Sequence, residues 1–389
     1  MIKNEGWDFV SNLELIATAT FGLEALVADE LRKLGYGDTQ VENGKVTFSG
    51  DELAICRTNL WLRTAARVRI KVGEFQATTF DELFEKTKAL PWARFIPKNA
   101  EFPVEGRSVQ STLFSVSDCQ AIVKKAVVES LKQEYNLEWF PEDGPLMKIE
   151  VALLKDVATL TIDTTGPGLH QRGYRALATG APLKETLAAA LVILARWYPD
   201  IAFIDPFCGS GTIPIEAALM GHNMAPGLNR DFASGNWPWI DDNLWKQARE
   251  EAQDLIKPEK PDYLIGTDID ERALRIARHN AEAAGVADSI HFQQLEVKEV
   301  SSSKKYGKLV TNPPYGERLG DSGEIRQLYQ ELAQLKKDLD TWSFYILTAY
   351  PHLEKNMGER ATKRRKLYNG NIETQYYQYF GPRPPKRQG

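Results

Sequence analysis

The sequence predicts an α/β protein: a doubly wound parallel sheet in the second half of the chain, preceded by an α+β region. Two observations carry this. After residue 165, apolar strand segments alternate with helical segments, and the first strand runs into a glycine-rich turn. Before residue 165, short strands and helices succeed one another without regular βαβ alternation and close on a strand pair.

In the first region, residues 14–18 read as a strand. Residues 22–34 follow with Leu23, Leu26, Val27 and Leu31 at helical spacing, stopped by Gly35-Tyr36-Gly37. Residues 46–48 form a short strand, and Asp51 is placed to cap a helix running toward Leu60. Residues 66–72 alternate as a strand does. Ser117 or Asp118 opens a long helix through Leu131, and strands 147–154 and 157–163 meet across a Lys155-Asp156 turn.

In the second region, strands are expected at 202–204, 263–267, 290–294, 308–311 and 344–348, with helices at 212–220, 271–284 and 324–338. Residues 366–368 and 374–380 read as an antiparallel hairpin across Asn369-Gly370-Asn371. The segment from residue 382 is rich in proline and basic residues and is expected to fray.

Composition excludes several classes. The longest unbroken apolar stretch, 187–195, has nine residues, against about 20 for a membrane helix. The N-terminus lacks the apolar core of a secretory leader. Cys56, Cys119 and Cys208 form no CxxC pair, and the five histidines show no metal spacing. A cytoplasmic protein with reduced thiols, no metal and no membrane partner is expected. Net charge is −5, with 19 basic against 25 acidic residues in 1–165 and nine against three in 354–389. A polyanion must therefore be met through local patches.

Three constellations carry chemistry. In Ala202-Phe203-Ile204-Asp205-Pro206-Phe207-Cys208-Gly209-Ser210-Gly211-Thr212, a strand enters a turn whose glycines permit close backbone approach, and a helix starts at Thr212. A GxG turn also serves purely steric ends, and Pro214 replaces the third glycine of the dinucleotide fingerprint. Asp205 at the strand end would repel a pyrophosphate and attract an ammonium. S-adenosylmethionine carries such an ammonium and no phosphate. Cys208 reads as packing.

The second constellation is Leu264-Ile265-Gly266-Thr267-Asp268-Ile269-Asp270. A carboxylate ending the second strand can accept from both ribose hydroxyls. Asp270 fits the helix cap, which leaves Asp268 for the ligand. Here 57 residues separate Gly211 from Asp268, where about 20 is usual. The insert, roughly 221–261, holds Trp237, Trp239 and Trp245 and is expected to roof the site.

The third is Thr311-Asn312-Pro313-Pro314-Tyr315-Gly316-Glu317-Arg318. An exocyclic base amine is a poor nucleophile because its lone pair is delocalised. The Asn312 side-chain oxygen and the Pro313 carbonyl can each accept one of its hydrogens and turn the lone pair toward a methyl carbon. Pro313 and Pro314 stiffen the loop, and Tyr315 offers a ring to an extruded base. The same four residues can also make a rigid turn without chemistry.

Asp205 to Thr212 and Asn312 to Tyr315 resemble motifs I and IV of class I amino-methyltransferases. Leu169 to Arg175, Ala181 to Leu187, Met224 to Gly227 and Arg365 to Gly370 resemble the bacterial THUMP-domain methyltransferases, which include the 23S rRNA guanine-N2 methyltransferases. The resemblance covers essentially the whole chain. It implies a ferredoxin-like region at 1–60, a THUMP RNA-binding domain at 61–165 and a Rossmann-like class I methyltransferase domain at 166–389. It also implies S-adenosyl-L-methionine as cofactor and structured RNA as partner. Asp205, Phe207, Gly209, Gly211, Thr212, Asp268 and Ile269 fall on cofactor positions, and Asn312 to Tyr315 on the target-amine loop. The family's Asp after the third strand is replaced by Gln294-Leu295-Glu296, which makes Glu296 the candidate for the adenine amine.

Arg172 and Arg175 stand in a stretch without acids and admit two readings, phosphate contact or an interdomain hinge. The 363–366 cluster, with Arg364 and Arg365, is a second candidate for RNA contact. Arg57, Arg63, Arg67, Arg69 and Lys71 read as a solvated surface. Arg107, Ser108, Ser111 and Lys124 are further candidates for RNA-backbone contact. The expected activity is methylation of a guanine N2 amine in 23S rRNA. The alternatives are a tRNA guanine-N2 methyltransferase and a non-catalytic RNA-binding or ribosome assembly factor. DNA adenine methylation would use the same loop, but the THUMP-like first half argues against it.

Overall fold

The computed structural model describes residues 12–175, 183–315 and 322–385. Its strands are β1 (Leu13–Ala19), β2 (Thr39–Glu42), β3 (Lys45–Gly50), β4 (Ala65–Gln76), β5 (Val104–Val109), β6 (Ile149–Leu154) and β7 (Val157–Asp163). They continue as β8 (Phe203–Asp205), β9 (Leu264–Asp268), β10 (His291–Gln294), β11 (Lys308–Thr311), β12 (Ser343–Thr348), β13 (Lys363–Asn369) and β14 (Ile372–Tyr379). The chain forms two units: Met1–Ala19, Val27–Leu169 and Asp231–Glu251 make the first, and Thr20–Leu26, His170–Arg230 and Ala252–Gly389 the second.

The first unit holds one seven-stranded sheet in the order β2-β3-β1-β4-β7-β6-β5. The long strand β4 pairs with β1 on one side and β7 on the other, so the sheet runs unbroken through the region around residue 60. Asp51 accepts the Ala54 N–H at 2.8 Å and so caps the Glu52–Trp61 helix. Lys155 and Asp156 both have positive φ, 51° and 64°, the geometry of a two-residue hairpin whose twist matches its strands. Leu15, Leu31, Phe48, Trp92, Val127 and Val151 belong to one buried core.

The basic run of this unit is turned inward by ion pairs. Arg57 binds Glu251 through two bonds of 2.7 Å, Arg67 pairs with Asp163, Arg69 with Glu150, and Lys71 with Glu14 at 2.9 Å. Lys124 is held by Glu142 and the Phe102 carbonyl, and Ser108 donates to the Leu113 carbonyl. Trp237 and Trp245 are core residues of this unit, Phe232 stacks on Trp245 at 5.1 Å, and Trp239 donates to the Phe95 carbonyl at 2.9 Å. The tryptophans of the insert thus fill a core of the first unit that the sequence order does not suggest.

The second unit holds a sheet in the order β10-β9-β8-β11-β12-β14-β13. Strands β10 to β12 are parallel, and β14 and β13 add antiparallel. Chain order reverses direction between β8 and β11, and crevices at such reversals open at the carboxyl ends of the strands. Both faces are covered, as a parallel sheet requires. Phe203, Val310 and Leu347 pack with Leu187 and Leu191 of the Glu185–Leu194 helix and Ile215 of the Thr212–Gly221 helix. Ile204, Leu309 and Ile346 pack with Tyr329 and Leu332 of the Ser322–Asp338 helix. Among the described residues no helix is long and apolar enough to cross a membrane, and no His, Cys, Asp and Glu group has the arrangement of a metal site.

Candidate active site

The reversal point brings the first and third constellations together. Asp205 ends β8 and Thr311 ends β11, and Thr311 Oγ1 donates to Asp205 Oδ1 at 2.6 Å. The same oxygen accepts the Phe207 N–H at 3.1 Å. Asp205 is 1% exposed. Burial pushes its carboxyl up to about 7, and the negative charge of Asp268 adds to the rise, while the Thr311 hydroxyl and Phe207 N–H oppose it. A buried carboxylate without a cation creates a strong local preference for one.

The glycine turn is built on its neighbours. Gly209 and Gly211 have φ of +53° and +81°, where side chains other than glycine are strained. A Cβ on Gly211 would meet Ala277 Cβ at 2.9 Å, whereas one on Gly209 would meet nothing within 4 Å. Gly211 therefore serves packing against the Glu271–Ala283 helix, and Gly209 faces open space. Asn280 donates to the Ser210 carbonyl at 3.1 Å and fixes the turn from below. Gly211 caps the Thr212–Gly221 helix without a side-chain bond, so the first N–H groups of that helix border the same turn.

Asp268 ends β9. Its Oδ2 accepts the Gly209 N–H at 2.9 Å and its Oδ1 the Asp270 N–H at 3.0 Å. Burial raises the Asp268 carboxyl above the usual range, against these N–H groups. Asp270 caps the following helix by accepting from Arg272 N at 2.8 Å. Ile269, 65% exposed, projects an apolar side chain beside Asp268. Glu296 lies on the next segment, tied in by the Leu295 N–H donating to the Asp268 carbonyl at 3.2 Å. The Glu296 carboxylate caps a short helical turn in a reciprocal capping box with Glu299 and pairs with Lys298 at 2.5 Å, so part of its accepting capacity is committed.

On the amine loop, Asn312 Oδ1 is buried and has no hydrogen-bond partner among the described residues. A buried, unsatisfied acceptor costs about 1–3 kcal/mol and persists where a ligand can supply the missing donor. Tyr315 is only 7% exposed, and its hydroxyl accepts from Asn369 Nδ2 of β13 at 3.0 Å. The ring is thus docked against the C-terminal hairpin. Gly316, Glu317 and Arg318 lie outside the described residues, as do Ala181 and Pro182.

Arg172 and Arg175 are placed inside the second unit. Arg172, 2% exposed, pairs with buried Glu216 at 3.4 Å, and Tyr174 donates to the same carboxylate at 3.2 Å. Arg175 donates to Thr212 Oγ1 at 2.7 Å and to the Leu183 carbonyl at 3.0 Å, and its Nε lies 3.3 Å from Glu185. Their place among the RNA contacts is corrected: these guanidiniums are committed to brackets on the helix that starts at Thr212. Of the C-terminal cluster, Arg365 donates to the Gly22 carbonyl at 2.9 Å, Lys366 pairs with Glu373 at 2.6 Å, and exposed Arg364 approaches Glu354 at 3.4 Å.

Sequence reasoning gave no hydrogen-bonding role in the site to Thr311, Asn280 or Asn369. Thr311 was legible as a lone hydroxyl ending an apolar strand; Asn280 and Asn369 required the tertiary register.

The residues fit S-adenosylmethionine. Asp205 suits an ammonium, Asp268 a ribose diol, and the space beside Gly209 admits a ligand against the turn.

A family model described as an RMKL-like methyltransferase domain matches residues 172–378. Models for an RlmL ferredoxin-like domain and a THUMP domain match 14–69 and 77–163. The chain is 55% identical over 375 residues to the Bacillus subtilis protein named "Putative RNA methyltransferase YpsC", covering 96% of this chain and 97% of that one. It is 36% identical to the Ribosomal RNA large subunit methyltransferase K/L of Syntrophotalea carbinolica, covering 93% of this chain but 52% of that one, about half its length. Among solved structures, a Listeria monocytogenes protein described as a "predicted N6-adenine-specific DNA methylase" matches with TM-score 0.91, 55% identity, and coverage of 96% and 97% of the two chains. SMU.472, described as "a putative methyltransferase complexed with SAH", matches with TM-score 0.91, 45% identity, and coverage of 96% and 100%. With the methyltransferase model spanning more than half its residues and YpsC matching along nearly its full length, the chain belongs to the RMKL-like methyltransferase family, with RlmL-type ferredoxin-like and THUMP domains ahead of the methyltransferase domain.

Proposed function

We propose that this protein transfers a methyl group from S-adenosyl-L-methionine to the exocyclic N2 amine of a guanine in 23S rRNA. The observation that carries the reading is the buried Oδ1 of Asn312, which has no hydrogen-bond partner among the described residues, one residue beyond the Thr311–Asp205 bond. The bound cofactor supplies an electrophilic methyl carbon on a sulfonium. The chain supplies position. Asp205 takes the ammonium, and Asp268 takes the ribose hydroxyls beside Gly209. Glu296, on the segment after β10, is the candidate acid for the adenine amine. Asn312 Oδ1 and the Pro313 carbonyl accept the two amine hydrogens, which localises the nitrogen lone pair and relieves the unsatisfied acceptor as the transition state forms. The new N–C bond would replace the methyl–sulfur bond of the sulfonium, the neutral thioether S-adenosylhomocysteine would leave, and the amine hydrogen held by one of these acceptors would be released as a proton, finally to solvent. Tyr315 is docked on the hairpin side of the loop, 7% exposed, so an extruded base can reach only the rim of its ring as it stands.

RNA as the substrate class is supported by the THUMP model at 77–163 and by the names of YpsC and the K/L relative. The exposed edge strand β13, with Lys363 and Arg364, is the proposed phosphate-contacting segment. A tRNA guanine is the second reading, since the domain plan alone does not separate the two RNAs. Adenine N6 offers the loop the same two hydrogens, and the description of the Listeria structure points to that base. Mass-spectrometric mapping of rRNA and tRNA from cells with and without the gene tests the proposal. Loss of one methylguanosine from a single 23S fragment is expected. A loss confined to tRNA, or of a methyladenine, overturns it.

A further inference from the structure

Burial and one neighbouring carboxylate oppose the ionisation of Asp205, and two donors favour it. The carboxylate is Asp268, from β9; the Cys208 thiol of its own turn is pushed up by burial, stays protonated and carries no charge. No Lys, Arg or His side chain among the described residues pairs with it. Its donors among the described residues are the Phe207 N–H and the Thr311 hydroxyl, and the hydroxyl bond is the shorter, 2.6 Å against 3.1 Å. Both partners of the shorter bond are buried, Thr311 fully and Asp205 at 1% exposure, so solvent does not substitute for it. Thr311 also ends β11 and roots the Asn312 loop.

Resting on the cofactor reading above, we propose that Thr311 is a positioning residue: its hydroxyl holds Asp205 ready in the ionised form that receives the ammonium of the methyl donor. A hydrogen bond to the charged form favours that form. The carboxyl, already raised to about 7, would rise further without it. The hydroxyl therefore determines whether the site binds at neutral pH or only in alkali. A residue serving only to pack the strand end would weaken binding equally at every pH.

The test is calorimetric titration of the full chain with S-adenosylhomocysteine, which carries the same ammonium, between pH 5.5 and 9. Wild type, Thr311→Val, Thr311→Ala and Thr311→Ser are compared. Wild-type affinity should fall on the acid side with a midpoint near neutrality. In Thr311→Val the midpoint should move up by about one pH unit, giving a loss of roughly fivefold to tenfold at pH 7 and less than threefold at pH 9. Thr311→Ala should show the same displacement, and either variant suffices if the other fails to fold. Thr311→Ser, which keeps the hydroxyl, should overlay the wild type. Asp268 titrates in every variant, so the difference between curves reports Thr311 alone. Curves for Val and Ala that keep the wild-type midpoint overturn the proposal, as does a Ser variant displaced like Val. Absence of any wild-type binding would instead sink the cofactor reading, and a wild-type affinity flat across pH would remove Asp205 as the ammonium's partner and the proposal with it.

Discussion

Asp268 Oδ2 accepts the backbone N–H of Gly209 at 2.9 Å, so the end of one strand fixes the turn that leaves its neighbour. The carboxylate thus holds the turn, and in the proposed function it also meets the ribose. Each charge-assisted bond lost costs about 1.5–3 kcal/mol. Asp268→Ala should weaken S-adenosylmethionine binding at least tenfold while circular dichroism stays native. Undiminished affinity in the folded variant would take Asp268 out of the site.

Asp205 should make the ligand-free protein less stable as pH rises. Its folded carboxyl titrates at about 7, against an ordinary value of 3.8. Between these values the folded chain keeps a proton that the unfolded chain has released, so stability falls as pH climbs through that window. Asp205→Asn retains an oxygen for the Thr311 and Phe207 donors and removes the charge. It should match wild type near pH 4 and exceed it at pH 8 by on the order of a few kcal/mol, while losing cofactor binding. Denaturant midpoints at the two pH values check this; a variant less stable than wild type at pH 8 contradicts it.

In the proposed function, Asn312→Ala removes an acceptor used as the amine becomes tetrahedral. Single-turnover methyl transfer should fall on the order of 10²-fold or more, with cofactor affinity unchanged. A near wild-type rate would reduce the loop to a rigid turn. Tyr315→Phe loses only the Asn369 bond and should cost less than tenfold, whereas Tyr315→Ala empties a buried position and should also lower RNA capture, where stacking is worth about 1–3 kcal/mol per base.

Lys363 and Arg364 are both exposed on the edge strand β13. Neutralising both to Gln should reduce the log–log salt slope of RNA binding by about 0.7–0.9 per phosphate contact removed. Arg365 and Lys366 are committed to Gly22 and Glu373, and their substitution should change the slope less. Equal slopes for all variants would move the footprint elsewhere, to the THUMP domain.

Trp237 is 2% exposed in the core of the first unit. Trp237→Ala should destabilise that unit by about 3–5 kcal/mol and leave cofactor affinity untouched. Weakened cofactor binding without a stability loss would return the insert to the site.

Wherever polar side chains and local backbone coincide, the geometry of the candidate site was legible. The Asp205 turn, the Asp268 strand end and the Asn312 loop are each set by residues adjacent in sequence, and all five parallel strands of the second unit lie within a residue of their expected bounds. Weakly patterned elements escaped notice. Strand β2 has mainly exposed residues, the Phe80–Lys88 helix buries only Leu83 and Thr87, and β5 reads Val-Glu-Gly-Arg-Ser-Val, alternating too faintly to signal a strand. The nine apolar residues at 187–195 gave no period because that helix is buried all round. The partners of Arg172 and of the tryptophans were invisible for a different reason: ion pairs and core sharing join segments whose separation no local pattern encodes.

The Asp231–Glu251 excursion has a consequence for how the molecule can be divided. A recombinant fragment beginning at residue 166 would carry this segment without the core that covers it, baring Trp237 and Trp245 and leaving Glu251 without Arg57. A fragment ending at 165 would lack them and open the opposite gap. The C-terminal half of this chain is therefore not a transplantable cassette: gene fusions and domain exchanges made with it must graft 231–251 together with the N-terminal half, or yield two sticky, half-finished pieces.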